Sequence, residues 1–99
     1  MLLLDEPMAA LDLRHQVALC ALLRRATGEG AAAAMVLHDV NLAARACDEV
    51  LLLREGRVVA RGAPAEVLTR ARLEETFGAP LREALADDGG RCWVPRLGP

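Results

Sequence analysis

Met1-Leu2-Leu3-Leu4-Asp5-Glu6-Pro7 opens the chain, a run of large aliphatic side chains that ends in two adjacent carboxylates and a proline. The run has no polar alternation. That is the pattern of a strand buried on both faces of a parallel sheet, where helices cover each side. Asp5 and Glu6 then stand at the strand's carboxyl end, the rim at which open α/β sheets gather their ligand chemistry. Pro7 has no N–H to give to a ladder, so it ends the strand and turns the chain out of the sheet.

Two neighbouring carboxylates at such a rim suit phosphoryl transfer. The first can hold Mg²⁺, directly or through water, while the second orients or deprotonates an attacking water. Taken alone, such a pair reads far more readily as a turn cap, Asp5, and a solvated side chain, Glu6. Leu11-Asp12 and His38-Asp39, further along the chain, weigh toward chemistry.

Met8-Ala9-Ala10-Leu11-Asp12 reads as a short loop, with Asp12 placed to cap the first turn of a helix over 13–26. Leu19, Leu22, Leu23 and Ala26 form its apolar stripe, and Arg14, Gln16, Arg24 and Arg25 its wet side. Thr27-Gly28-Glu29-Gly30 stops the helix, glycine supplying the left-handed backbone that helix ends prefer. A second apolar run over 32–37 ends in His38-Asp39, repeating the logic of the first, and Asp39 can cap a helix over 40–47. Strand, helix, strand, helix is the signature of a βαβ unit.

Beyond Asp48 the pattern changes. Runs over 49–54 and 57–61 are joined by Glu55-Gly56, a hairpin connection. Pro64 suits the first turn of a short helix, and a further amphipathic piece over 71–77 ends at Gly78. Strands over 81–85 and 92–94, around the turn Asp87-Asp88-Gly89-Gly90, complete the chain as a small hairpin. The expected class is therefore α/β, with parallel strands, flanking helices and a C-terminal β-hairpin. Residues 1–78 are expected to form one domain and 79–99 a terminal hairpin or tail.

Composition narrows the function classes. The 99 residues carry a net charge of −2, and all 12 basic residues are arginine, so no electrostatic footprint for nucleic acid exists. One Trp, one Phe and no Tyr leave no platform for stacking bases. Cys20, Cys47 and Cys92 are too widely spaced for a zinc site and too few for a disulfide framework, which points to reduced thiols. No apolar run approaches the ~20 residues that span a bilayer, and the N-terminus lacks the pattern of a signal peptide.

The ordered series of aliphatics-Asp-Glu-Pro, then Ala10-Leu11-Asp12, then an apolar strand ending in His38-Asp39, resembles the C-terminal part of the ATP-binding subunit of ABC transporters, a group of P-loop NTPases. Leu2-Leu3-Leu4-Asp5-Glu6-Pro7 looks like the Walker B motif with its catalytic glutamate, Ala10-Leu11-Asp12 like the D-loop, and His38 like the switch histidine. The segments over 49–61 and 62–68 are also similar, so the resemblance covers nearly the whole chain. It implies that Asp5 supports Mg²⁺, that Glu6 polarises the hydrolytic water, that His38 contacts the γ-phosphate of ATP, and that Asp12 helps align an opposing subunit. It also implies a homodimer of nucleotide-binding subunits and integral membrane permease partners, with the protein on the cytoplasmic face of the membrane. Leu11-Asp12-Leu13-Arg14-His15-Gln16 and His38-Asp39-Val40-Asn41-Leu42-Ala43-Ala44-Arg45 are similar to iron-chelate importers, most of all haem importers; siderophore and cobalamin importers share much of this wording.

Two departures stand out. Met8 and Ala9 occupy positions where the family often has hydroxyl residues. No Gly-x-x-x-x-Gly-Lys-Ser/Thr loop exists in these residues, which contain no lysine, and the Q-loop and Gly-rich signature segment are missing as well. The expectation is a C-terminal fragment of an importer ATPase, inactive by itself and prone to aggregate through unpaired strand edges. Two other readings remain: a non-catalytic remnant that associates with other nucleotide-binding subunits, and a chromosome-maintenance ATPase sharing the Asp-Glu and His elements.

Overall fold

A computed structural model describes residues 1–98 and divides the chain into two compact units, Met1–Asp39 and Val40–Pro99. The class is α/β.

In the first unit, β1 (Leu2–Asp5) pairs in parallel with β2 (Ala33–Val36), and α1 (Leu13–Gly28) connects them. The register runs from Leu2 opposite Ala33 to Asp5 opposite Val36. Asp12 caps α1 as expected, its carboxylate accepting from the His15 backbone N–H at 2.9 Å. The helix runs two residues past the expected end. Gly28 stays inside it, and the left-handed turn falls on Gly30 (φ 102°), around which the Ala31 N–H reaches back to the Ala26 carbonyl.

Burial corrects the expectation of strands covered on both faces. Leu2, Leu3 and Val36 are exposed, Leu3 at 76%, because each strand has a single neighbour within a sheet two strands wide. Such a sheet also offers little surface for a helix to cover: Leu23 is buried, but Leu22, placed on the same stripe by periodicity, is 59% exposed. Met8 joins Leu23 as a buried side chain of this unit.

The second unit is better filled. After α2 (Val40–Ala46), β3 (Val50–Arg54) and β4 (Arg57–Gly62) form an antiparallel hairpin whose turn residues, Glu55 and Gly56, both take positive φ. That is the primed turn that matches strand twist. Val50 and Leu52 point inward, Leu51 and Leu53 outward. Next come α3 (Pro64–Val67), with proline in its first turn, and α4 (Arg70–Phe77), capped by Thr69 and ended by Gly78 in the left-handed conformation. β5 (Leu81–Leu85) and β6 (Arg91–Pro95) close an antiparallel hairpin, the strand pair expected near the C-terminus. Val50, Leu52, Val67, Leu68, Leu73 and Trp93 make one buried cluster. No helix among the described residues is long and apolar enough to cross a membrane.

Candidate functional site

The parallel pairing of β1 with β2 decides which polar residues meet. Because the strands run the same way in register, their carboxyl ends lie side by side, and the residues just beyond them share one rim. Glu6 follows β1 directly, its N–H donating to the Val36 carbonyl at 3.0 Å as a last rung. His38 follows β2 by two residues. Its Nε2 lies 3.2 Å from Glu6 Oε1.

Glu6 is held in an uncommon state. Its φ is 49°, in the left-handed region that side-chain-bearing residues adopt rarely and at a cost of roughly 1–3 kcal/mol. Its side chain is mostly buried, and Oε1 is shut off from solvent without a well-aligned hydrogen bond, although the His38 ring is close. A buried carboxylate oxygen left in that condition calls for a donor such as water. His38 is largely exposed.

Asp5 ends β1 with an exposed side chain. Mg²⁺ favours one or two carboxylates, completed by water and phosphate oxygens, and the exposed Asp5 carboxylate fits its preference for hard oxygen donors. The described residues hold no group of three His, Cys, Asp or Glu side chains that could cage a metal on their own. Asp12 is engaged elsewhere: the His15 backbone N–H and, at 2.7 Å, the His15 ring Nδ1 both meet its Oδ1. These contacts, the backbone bond foremost, hold its carboxyl below the ordinary aspartate range. The structure thus joins Glu6 with His38 and sets Asp12 in the helix cap.

Helical phase puts Gln16 on the wet side of α1, but the structure shows it half-buried. Its side-chain Nε2 donates to the carbonyls of Met8 and Leu11, at 3.3 and 3.2 Å. Periodicity could not reveal this, since a first-turn side chain can fold back toward the preceding loop. The position of Gln16, four residues after the capping Asp12, was the available signal.

No protein-family model matches the chain. It is 40% identical over 97 residues, 98% of its length, to the hemin import ATP-binding protein HmuV of Rhodopseudomonas palustris (strain BisB18), and covers 36% of that protein. With HmuV of Hahella chejuensis it shares 49% identity over 81 residues, 82% of this chain and 32% of the relative. The vitamin B12 import ATP-binding protein BtuD of Photobacterium profundum is 39% identical over 95% of the chain, which covers 37% of it. Among solved structures, a metal-chelate type ABC transporter in an inward-facing conformation superposes with a TM-score of 0.79 at 26% identity, over 95% of this chain and 39% of the other. The chain spans about a third of the length of the curated relatives it matches.

Proposed function

We propose that this chain, a partial ABC ATPase domain, carries the water-activating side of an ATP-hydrolysing site. Glu6 orients and deprotonates the attacking water, His38 reaches the γ-phosphate, and Asp5 supports Mg²⁺. One observation supports the reading above all: Glu6 and His38, far apart in sequence, are 3.2 Å apart at the carboxyl rim of a parallel strand pair. The Glu6 carboxylate is the group to which the water would give its proton, and no hydrogen bond to its Oε1 competes for that role. Mg²⁺, when bound, neutralises charge on the β- and γ-phosphates.

These 99 residues contain no lysine, so the phosphate-cradling loop must come from other residues. In a complete site ATP lies between that loop and the rim formed by Glu6 and His38. The relatives named for hemin import support a role in driving an importer of haem or another iron chelate, and the one named for vitamin B12 import supports a cobalamin importer as the alternative. The partners are then integral membrane permease subunits and a second nucleotide-binding subunit, which Asp12 helps align, at the cytoplasmic face of the membrane. The missing lysine also favours a second reading, a non-catalytic piece that associates with nucleotide-binding subunits.

A chimera separates the two. This chain replaces the matching stretch of HmuV from Hahella chejuensis, and ATP hydrolysis is measured with Mg²⁺ present. Hydrolysis that falls by about 10²–10⁴-fold on Glu6→Gln supports the catalytic reading. A folded chimera without turnover supports the non-catalytic one, and turnover indifferent to Glu6→Gln rejects the assignment of Glu6.

A further inference from the structure

We propose that Gln16 is a positioning residue for the site at Glu6, acting through the turn that joins Glu6 to Asp12. This role rests on the assignment of Glu6 as the residue that activates water.

The turn is held as a connected set of hydrogen bonds. The Ala9 N–H donates to the Glu6 carbonyl at 3.3 Å, and the Leu11 N–H donates to the Met8 carbonyl at 3.1 Å. Gln16 then collects both ends of the turn, its amide nitrogen donating to the Met8 and Leu11 carbonyls. Its own backbone N–H donates to the Asp12 carbonyl at 2.9 Å, inside the regular ladder of α1, so the side chain reaches the turn from a rigid base. The buried Met8 side chain supplies an apolar tether to the same turn.

A left-handed glutamate persists only where its surroundings enforce the backbone. Upstream, Glu6 is fixed by its bond to Val36; downstream, it is fixed through this turn. Losing the amide of Gln16 leaves two carbonyls without their side-chain donor and frees the turn to shift. The carboxylate then loses its aim, while the phosphate-cradling loop, which lies in other residues, is left in place.

The test uses the HmuV chimera, comparing Gln16→Leu, Gln16→Lys and Glu6→Gln. Gln16→Leu is expected to lower kcat by up to about 100-fold with the KM for ATP unchanged, since small misplacements act on the reacting geometry. Gln16→Lys keeps N–H donors at the end of a flexible stem and is expected to restore much of kcat. Hydrogen exchange at the Leu11 amide should quicken in Gln16→Leu and return toward the parent rate in Gln16→Lys. Parent-level kcat in Gln16→Leu, with Glu6→Gln inactive, overturns the role of Gln16 alone. A fall in kcat and thermal midpoint together, unrelieved by lysine, assigns Gln16 to stability and also overturns it. Turnover unaffected by Glu6→Gln removes the underlying site and this proposal with it.

Discussion

Glu6 Oε1 and His38 Nε2 lie 3.2 Å apart, a contact created by the register that sets Asp5 opposite Val36. The histidine is exposed and the glutamate mostly buried, yet replacing either should lower turnover at no cost in stability. In the chimera, His38→Ala is expected to reduce ATP hydrolysis while leaving the thermal midpoint in place, because an exposed ring contributes little to packing. Glu6→Gln keeps shape and backbone and removes only the charge. It should likewise leave the midpoint unmoved, so calorimetry beside turnover checks both.

Asp88 makes a small, acid-sensitive contribution to the second unit. Arg45 grips it through two hydrogen bonds, at 2.8 and 3.2 Å, and the Gly90 N–H adds a third. The Arg45 guanidinium first, then the Gly90 N–H, pull the Asp88 carboxyl down from 3.8 to about 2. A carboxyl whose folded value lies below its unfolded value binds fewer protons when folded, so it adds stability above pH 3.8 that is lost as pH falls toward about 2. The pair is exposed, so the contribution is small and weakened by salt. A carboxyl ¹³C titration should find Asp88 with a midpoint near 2 at low salt, moving upward in Arg45→Gln.

The parallel pair, the two hairpins and the capping role of Asp12 were legible because each rests on a local cue: an unbroken aliphatic run, a glycine turn, or a short polar residue ahead of a periodic stretch. Burial was less legible. The Leu2–Leu4 run reads as interior, yet Leu3 is 76% exposed, since the pattern describes a strand with neighbours on both sides and β1 has one. The place of Gln16 was hidden because helical phase gives the direction of Cβ and says nothing of an amide that folds back onto a preceding turn. The meeting of Glu6 with His38 was visible in the repeated strand-then-polar pattern. The left-handed backbone at Glu6 was not, because nothing in a glutamate's identity announces it.

Unpaired edges make a further expectation. β1 and β2 each leave one ladder side open, with Leu2, Leu3 and Val36 exposed beside it. Flat apolar edges recruit other chains. Light scattering of the purified 99-residue chain should show concentration-dependent association, reduced by Leu3→Lys. A monodisperse parent chain, or an unchanged Leu3→Lys variant, would count against the edge as the cause.

Asn41 and Leu73 stabilise the second unit by different means, and Trp93 reports on both. Leu73 is fully buried in the cluster that also holds Trp93, so Leu73→Ala leaves a cavity and should cost about 2–5 kcal/mol. Asn41, on α2, pairs with the backbone of β6 as a neighbouring strand would: its Nδ2 donates to the Trp93 carbonyl at 3.0 Å, and its Oδ1 accepts from the Trp93 N–H at 2.7 Å. Asn41→Leu removes both partners from a largely buried peptide, a loss of roughly 1–3 kcal/mol. Trp93 is the chain's single tryptophan and is buried, so its emission shifts to longer wavelength when this unit opens. Urea titrations followed at Trp93 should therefore show lowered midpoints for both variants, the larger for Leu73→Ala. Asn41→Asp keeps the acceptor for the Trp93 N–H but sets a carboxylate oxygen against the Trp93 carbonyl, so its midpoint should fall clearly below the parent's. A midpoint for Asn41→Asp equal to the parent's would mean that the bond to the Trp93 carbonyl contributes nothing.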